Sequence, residues 1–256
     1  MHATPPDWDP DLAARRASSF GASARAYAAE RPDYPADAVR WALEPAGPAP
    51  RVLDLGSGTG KLTEMLARMD VRELTAVEPD PDMRAEAERR VPGVRPLAGS
   101  AEDIPLPDGS VDAVLAGQAM HWFDLDRALP EIHRVLAPGG VVGGLWNLDD
   151  DRVGWVAGLQ EAARSSVSLR HWRPRTIPST PYFPEVERAE FPHSQRRTAE
   201  SLVATIATHS HILVLDERER AAVLDRVLTY LRGVPETAEG EFDLPIVTLT
   251  LRARRA

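Results

Sequence analysis

RVLDLGSGTGK, at residues 51–61, predicts a short apolar strand, a glycine-rich turn and the start of a helix. Gly56, Gly58 and Gly60 can take positive φ angles and let a ligand approach the backbone closely. The N-terminus of the following helix offers N–H groups without helical partners to an anionic or polar ligand. The stretch therefore predicts a nucleotide-binding type of turn, which many nucleotide binders share.

The chain beyond this turn repeats the strand–helix pattern. Apolar strands that alternate with amphipathic helices predict a parallel sheet covered by helices on both faces, as in a Rossmann-like α/β fold. After the first strand, at 51–55, we expect strands at 73–77, 94–98, 111–116 and 141–146, helices at 62–68, 82–90 and 126–136, and a turn at 138–140.

After residue 147 the regular alternation stops. We expect helices at 151–167, 199–208 and 217–231, a loop at 170–184, and strands at 186–197 and 246–253. The prediction is a seven-stranded, mostly parallel sheet with an antiparallel last strand and an added helical covering lobe. Helices at 11–30 and 36–43 precede it. The predicted divisions are an N-terminal helical cover at 1–50, a ligand-binding core at 51–147, and a C-terminal part at 148–256 that completes the sheet and carries the lobe.

Composition narrows the class of protein. The 256 residues are 43% hydrophobic and suffice for one sizeable core. The chain has no cysteine, which excludes disulfides, thiolate metal sites and a cysteine nucleophile. A net charge of −9 disfavours nucleic acid as a partner. No apolar run approaches the ~18 residues of a membrane span, and the N-terminus lacks a signal-peptide pattern, so we expect a cytoplasmic monomer or homodimer.

Three residues around the turn indicate the chemistry of its ligand. Lys61 stands where a dinucleotide-binding motif has its third glycine, and Asp54 places a carboxylate beside the turn, which favours an ammonium group over a pyrophosphate. Glu78 ends the second predicted strand, where a carboxylate can accept hydrogen bonds from ribose hydroxyls. An amine-bearing nucleoside without phosphate, S-adenosylmethionine, fits all three. The alternatives are a helix-capping Asp54 and a surface Glu78.

Five motifs in order carry a family resemblance: VLDLGSGTG, AVEPDPDM, GSAEDIPLPDGSVDAV, GQAMHWFD and RVLAPGG, between residues 51 and 146. Together they resemble the class I S-adenosylmethionine-dependent methyltransferases, especially the small-molecule group that includes trans-aconitate and ubiquinone-type methyltransferases. The resemblance implies S-adenosylmethionine as cofactor and S-adenosylhomocysteine as product. Relatives often carry an acid where this chain has Ser100. The implied cofactor contacts are Arg31, Asp54, Gly56, Ser57, Gly58, Gly60, Glu78, Pro79, Ser100, Ala101, Glu102, Ala116 and Gln118.

The methyl acceptor is expected beyond the fourth predicted strand, where the chain reads Met120-His121-Trp122-Phe123-Asp124. Ligands of open parallel sheets bind outside the carboxyl ends of the strands. His121 is the candidate general base, and its alternative role is to shape the pocket. The expected substrate-binding residues are Tyr34, His121, Trp122 and Trp146.

The sequence gives weaker signals for a metal site and for the residues that select the acceptor. The run Asn147, Asp149, Asp150 and Asp151 invites a metal site, but a solvated acidic loop explains it better, and we expect no metal. Aromatic and basic residues after the fifth predicted strand suggest a planar or carboxylate-bearing small molecule, and core packing explains them nearly as well. They are Trp155, Arg170, His171, Trp172, Tyr182 and Phe183.

The sequence thus predicts methyl transfer to a small molecule by in-line displacement. The favoured acceptor atom is a carboxylate or hydroxyl oxygen. Transfer to carbon or nitrogen, or to a peptide carboxylate, remains an alternative. A nicotinamide-dependent oxidoreductase is a more remote one, against which Asp54 and Lys61 argue. A binding protein without turnover is a further alternative.

Overall fold

The computed structural model describes residues 32–166 and 177–256. The helix predicted at 11–30, with Arg31, lies outside the described residues, and so do Arg170, His171 and Trp172. The described chain contains eight α-helices and two short 3-10 helices, at Glu44–Ala46 and Met120–Trp122. The α-helices are α1 Ala36–Leu43, α2 Lys61–Leu66, α3 Pro81–Arg90, α4 Leu125–Val135, α5 Gly154–Ala162, α6 Ala199–Ala207, α7 Ser210–Leu213 and α8 Glu217–Gly233.

Six strands form one sheet in the described part of the chain, in the order β2-β1-β3-β4-β6-β5. β2, β1, β3 and β4 are parallel to one another. β6 runs against β4, because Arg255 N donates to Gly140 O while Asp150 N donates to Pro245 O. The mixed Rossmann-like sheet with an antiparallel last strand is therefore confirmed. The strands are β1 Arg51–Leu55, β2 Glu73–Val77, β3 Val111–Gly117, β4 Leu136–Asp149, β5 Val186–Arg197 and β6 Phe242–Arg254.

The count of seven strands is wrong by one, at the strand predicted for 94–98. This segment lies beside β2 but forms only an isolated parallel bridge between Val77 and Leu97. Leu97 N donates to Ala76 O at 2.9 Å and Leu97 O accepts from Glu78 N at 3.1 Å. The chain bends and turns at 91–93 and bends again at 98, and pairing with β2 is confined to Leu97.

The turn predicted at 138–140 lies inside β4 rather than before it. Val111 pairs with Leu136, whereas Ala113 pairs with Val141. Between these two pairs β4 therefore contains more residues than β3 does. Gly139, with φ +76°, is one of these residues. β4 therefore begins five residues earlier than the predicted 141–146.

The buried residues of β1, β3 and β4 alternate between two clusters, as the pleat of a strand dictates. One cluster contains Leu53, Val114 and Val142 together with the apolar side of α4. The other contains Val52, Leu115 and residues of α1 and α2. Both faces of the parallel part of the sheet are therefore covered by helices, as predicted.

The described residues divide into two compact units, 32–148 with 177–193 and 246–256, and 149–166 with 194–245. The second unit contains α5, α6 and α8. In it Tyr230 Oη donates to Trp155 O at 2.8 Å, and Gly158 leaves room for the tyrosine ring. The divisions predicted at 1–50, 51–147 and 148–256 stay a prediction. No helix among the described residues is long and apolar enough to cross a membrane.

Candidate functional site

The turn between β1 and α2, residues 56–60, is here called the cofactor turn. Gly56, Gly58 and Gly60 have φ angles of +70°, +55° and +82°. The N–H groups of Gly56 and Ser57 both donate to Val77 O at the end of β2, at 2.8 and 3.1 Å. A Cβ at Gly56 would lie 2.8 Å from Ala119 Cβ, whereas a Cβ at Gly58 would meet nothing within 4 Å. The turn is thus packed on one side and open at its middle glycine.

Asp54 lies fully buried at the end of β1. Its Oδ2 accepts a hydrogen bond from Thr63 Oγ1 at 2.5 Å, while its buried Oδ1 has no partner in the described chain. Burial raises the pKa of the Asp54 carboxyl to about 7, since loss of water disfavours the charged form. The nearby Glu78 carboxylate raises it further. The N-cap of α2 is Gly60 and has no side-chain cap, so the observed partner of Asp54 is a side chain inside the helix.

Glu78 follows β2 and is only 8% exposed, so it is not a surface carboxylate. Its Oε2 accepts a hydrogen bond from Gly58 N at 2.9 Å, and its Oε1 accepts one from Asp80 N at 3.0 Å. Burial raises the pKa of this carboxyl, and the two backbone donors counteract part of that rise. Glu78 therefore ties the end of β2 to the middle of the cofactor turn, beside an exposed Pro79.

Three buried polar atoms lie within six residues of one another without partners in the described chain: Asp54 Oδ1, Ser57 Oγ and Thr59 Oγ1. Buried polar groups normally have a hydrogen-bond partner, because an unsatisfied one costs about 1–3 kcal/mol. Their concentration around the open turn indicates a polar ligand there. An amine-bearing nucleoside fits this donor and acceptor set, since Asp54 offers a carboxylate oxygen and the serine and threonine offer hydroxyls.

The segment 100–102 forms a tight turn stabilised by two backbone hydrogen bonds between Ser100 and Asp103, each 3.3 Å. Ser100 Oγ accepts from Glu102 N at 3.3 Å, so this hydroxyl has a local role in the turn. Glu102 Oε1 accepts from Asp124 N at 2.9 Å, just before α4. The side chains of Ala101 and Ala116 are buried in the core, which leaves their backbone for any ligand contact.

Residues 117–124, after β3, are here called the acceptor segment. Gln118 has φ +52°, a left-handed conformation that is costly for a residue with a side chain. Its N–H donates to Leu145 O and its Nε2 donates to Asn147 O, both at 2.8 Å. A Cβ at Gly117 would lie 2.6 Å from the buried Tyr34 Oη. The predicted residues Tyr34, Ala116 and Gln118 thus meet at the end of β3.

His121 contacts both predicted tryptophans. The indole Nε1 of Trp146 donates to His121 Nδ1 at 3.2 Å, and the His121 and Trp122 rings lie 4.8 Å apart. Trp146 itself is fully buried in the core on β4. Its link to the acceptor segment therefore runs through His121.

The sequence suggests Asn147 only as a metal ligand, whereas in the structure it connects separate segments of the chain by hydrogen bonds. Its Nδ2 donates to Pro32 O and Asp33 O at 3.3 and 3.2 Å, and its Oδ1 accepts from Thr248 Oγ1 at 2.6 Å. Thr248 Oγ1 in turn lies 3.0 Å from His193 Nε2. These partners come from distant parts of the chain, so no spacing in the sequence indicates them.

The remaining predicted residues have partners of their own. Asp150 pairs with Arg152, and no group of three or more potential ligands in the described chain could hold a metal ion. Phe183 is fully buried in the core, Tyr182 packs on His133 at 5.0 Å, and Trp155 packs on Phe242. For these three aromatic residues the structure favours packing.

Comparison with known proteins identifies the family of the chain. A methyltransferase domain family matches residues 53–143. The chain is 41% identical over 240 residues to an uncharacterized methyltransferase of Mycobacterium tuberculosis, covering 93% of this chain and 96% of that protein. A solved structure from Anaeromyxobacter dehalogenans, assigned as a type II methyltransferase, has a TM-score of 0.65 at 30% identity and covers 88% of this chain and 97% of its own. A 102-residue stretch is 39% identical to malonyl-(acyl-carrier protein) O-methyltransferase of Pectobacterium atrosepticum, 40% of each chain.

The resemblance drawn from the five motifs is therefore confirmed, and it extends through almost the whole length of a relative. The chain belongs to the class I S-adenosylmethionine-dependent methyltransferases.

Proposed function

We propose that this methyltransferase binds S-adenosylmethionine at the cofactor turn and methylates an oxygen atom of a small molecule. The observation that carries the proposal is the set of buried, unpartnered polar atoms at Asp54, Ser57 and Thr59 around an open glycine. When bound, the cofactor supplies a methyl group on a positively charged sulfur, which is already an activated leaving group.

The residues of the turn have separate tasks in this proposal. Asp54 Oδ1 accepts from the ammonium group of the methionine part, and the charge of that group favours ionisation of a carboxyl whose pKa burial has raised. Glu78, already oriented by Gly58 N and Asp80 N, accepts from the ribose hydroxyls with its remaining lone pairs. Pro79, Ser100, Ala101 and Glu102 border the adenine, and Arg31, which lies outside the described residues, pairs with the cofactor carboxylate.

On the acceptor side the chain mainly aligns the acceptor and excludes water, since the leaving group needs no activation. Tyr34, Gln118, His121 and Trp122 surround this position, and the relative named as an O-methyltransferase supports oxygen as the acceptor atom. The products of the proposed reaction are a methylated small molecule and S-adenosylhomocysteine. The cytoplasmic location and the monomeric or homodimeric state stay predictions.

The test of the cofactor site compares substitutions of two glutamates, one at the start of β2 and one directly after its end. S-adenosylhomocysteine at a hundredfold its Kd should stabilise the wild-type protein by about 2.7 kcal/mol. Glu78→Gln should weaken binding about 10- to 100-fold, because it removes hydrogen bonds to a charged acceptor. Glu73→Gln, at the exposed start of β2, is the matched control and should bind like the wild type. Calorimetric titration of all three proteins is the measurement, and absence of binding to the wild type would refute the proposal.

A further inference from the structure

The hydrogen bond between Trp146 and His121 fixes where the imidazole carries its proton. An indole N–H is only a donor, so His121 Nδ1 must be the acceptor in the 3.2 Å contact. In a neutral imidazole the other nitrogen then carries the hydrogen. His121 is therefore held as the Nε2–H tautomer.

The donor in this pair is itself firmly positioned. Trp146 is fully buried on β4, and a Cβ at Gly144 would overlap the six-membered ring of the indole. The glycine thus leaves the space that the tryptophan fills. Because the indole is enclosed by the core, its N–H direction is set by packing and does not depend on His121.

His121 also lies next to the cofactor turn. It belongs to the 3-10 helix Met120–Trp122, which Ala119 and Phe123 flank. A Cβ at Gly56 would lie 2.8 Å from Ala119 Cβ and 3.4 Å from the Phe123 ring. The segment that carries His121 is therefore packed directly on the first glycine of the turn.

We infer that His121 serves the acceptor as a hydrogen-bond donor through Nε2–H and not as a general base, and that the methyl acceptor is a carboxylate, which such a donor can orient and whose methylation needs no base. This inference rests on the proposed function. Methylation of a carboxylate oxygen forms an ester and releases no proton, whereas methylation of a hydroxyl releases one proton that a base must take. An Nε2–H donor stabilises and orients a carboxylate but cannot accept a proton at that nitrogen.

The first experiment determines the tautomer in the ligand-free protein. Long-range proton–nitrogen correlation spectra of the ¹⁵N-labelled full chain distinguish protonated from bare ring nitrogens, and His121→Gln identifies the signals. We expect a protonated Nε2 and a bare Nδ1 at about pH 8, where an unperturbed imidazole is neutral. Trp146→Phe should raise the Nδ1–H population, and Trp122→Phe, which alters the ring that packs at a tilt on the same imidazole, should not. A protonated Nδ1 in the wild type overturns the inference, even if Trp146→Phe fails to fold.

The second experiment determines the class of acceptor. Methyl-labelled S-adenosylmethionine is incubated with the protein and a small-molecule cell extract, and mild alkali then releases methanol only from methyl esters. Alkali-labile label supports a carboxylate acceptor, and alkali-stable label overturns it. His121→Gln keeps a donor near the Nε2 position and should lose less activity than His121→Ala, which should lose about tenfold or more. An equal loss of about 100-fold or more in both variants indicates a general base and also overturns the inference.

Failure of the proposed function has a different signature from failure of this inference. If calorimetry finds no cofactor binding, the function is refuted, while the tautomer of His121 is still read in the ligand-free spectra.

Discussion

The cofactor turn and the acceptor segment follow two neighbouring parallel strands, β1 and β3, and lie at the same edge of the sheet. The cofactor turn is built from residues close together in sequence: three glycines with positive φ, Asp54 before them and Thr63 after them. The acceptor segment takes its shape from β4, since Gln118 bonds to Leu145 and Asn147, and His121 bonds to Trp146. The cofactor turn therefore takes its conformation from nearby residues and is anchored to the end of β2 through Val77 and Glu78, whereas the acceptor segment depends on its contacts with β4.

The largest effect that tests this contrast is expected at Asp54. Its raised pKa means that the folded protein holds this proton more tightly than the unfolded chain does, so its contribution to stability is complete below about pH 4. That contribution is lost as pH rises through about 7. Asp54→Asn should therefore gain stability relative to the ligand-free wild type by on the order of 2–3 kcal/mol between about pH 5 and pH 8.

Denaturant unfolding at these two pH values measures the Asp54 effect. The control is Asp70→Asn, at an exposed position between α2 and β2, which should follow the wild type at both. A difference between Asp54→Asn and wild type that does not change with pH would show that burial does not perturb this carboxyl.

A smaller effect separates backbone strain from close packing within the cofactor turn. Gly56→Ala and Gly58→Ala both place a side chain at positive φ, which costs about 1–2 kcal/mol. Only Gly56→Ala also adds a contact of 2.8 Å with Ala119 Cβ, for which we expect a further cost of about 1–3 kcal/mol. Urea unfolding of the two variants measures the difference, and equal losses would mean that the acceptor segment does not press on the turn.

The smallest expected effect concerns the hydrogen bonds of Asn147, next to the acceptor segment. Two buried threonines of β6 allow these bonds to be tested. Thr248 Oγ1 bonds to Asn147 Oδ1 and lies 3.0 Å from His193 Nε2, whereas Thr250 Oγ1 is buried without a partner in the described chain. Thr248→Val should lower the free energy of unfolding by about 1–2 kcal/mol, because it leaves buried partners unsatisfied. Thr250→Val keeps the same shape and should be neutral or stabilising. Thermal unfolding compares them, and the reverse order would contradict the assigned network.

The predicted elements show where sequence reasoning succeeds. The bounds of β1, β2 and β5 match the prediction. The segment at 94–98 pairs with β2 only at Leu97, which its apolar pattern does not reveal. β4 is longer than predicted because the turn at 138–140 lies within the pairing with β3.

Sequence by itself determined the cofactor turn, its carboxylates and the fold class, because glycine conformation and strand–helix alternation are local properties. Only the tertiary structure decided that Glu78 bonds to the turn and that Asn147 holds the Pro32–Asp33 backbone. It also decided that Trp146 sets the tautomer of His121. These contacts join residues between 20 and 115 positions apart, and packing of separate strands brings them within hydrogen-bond distance.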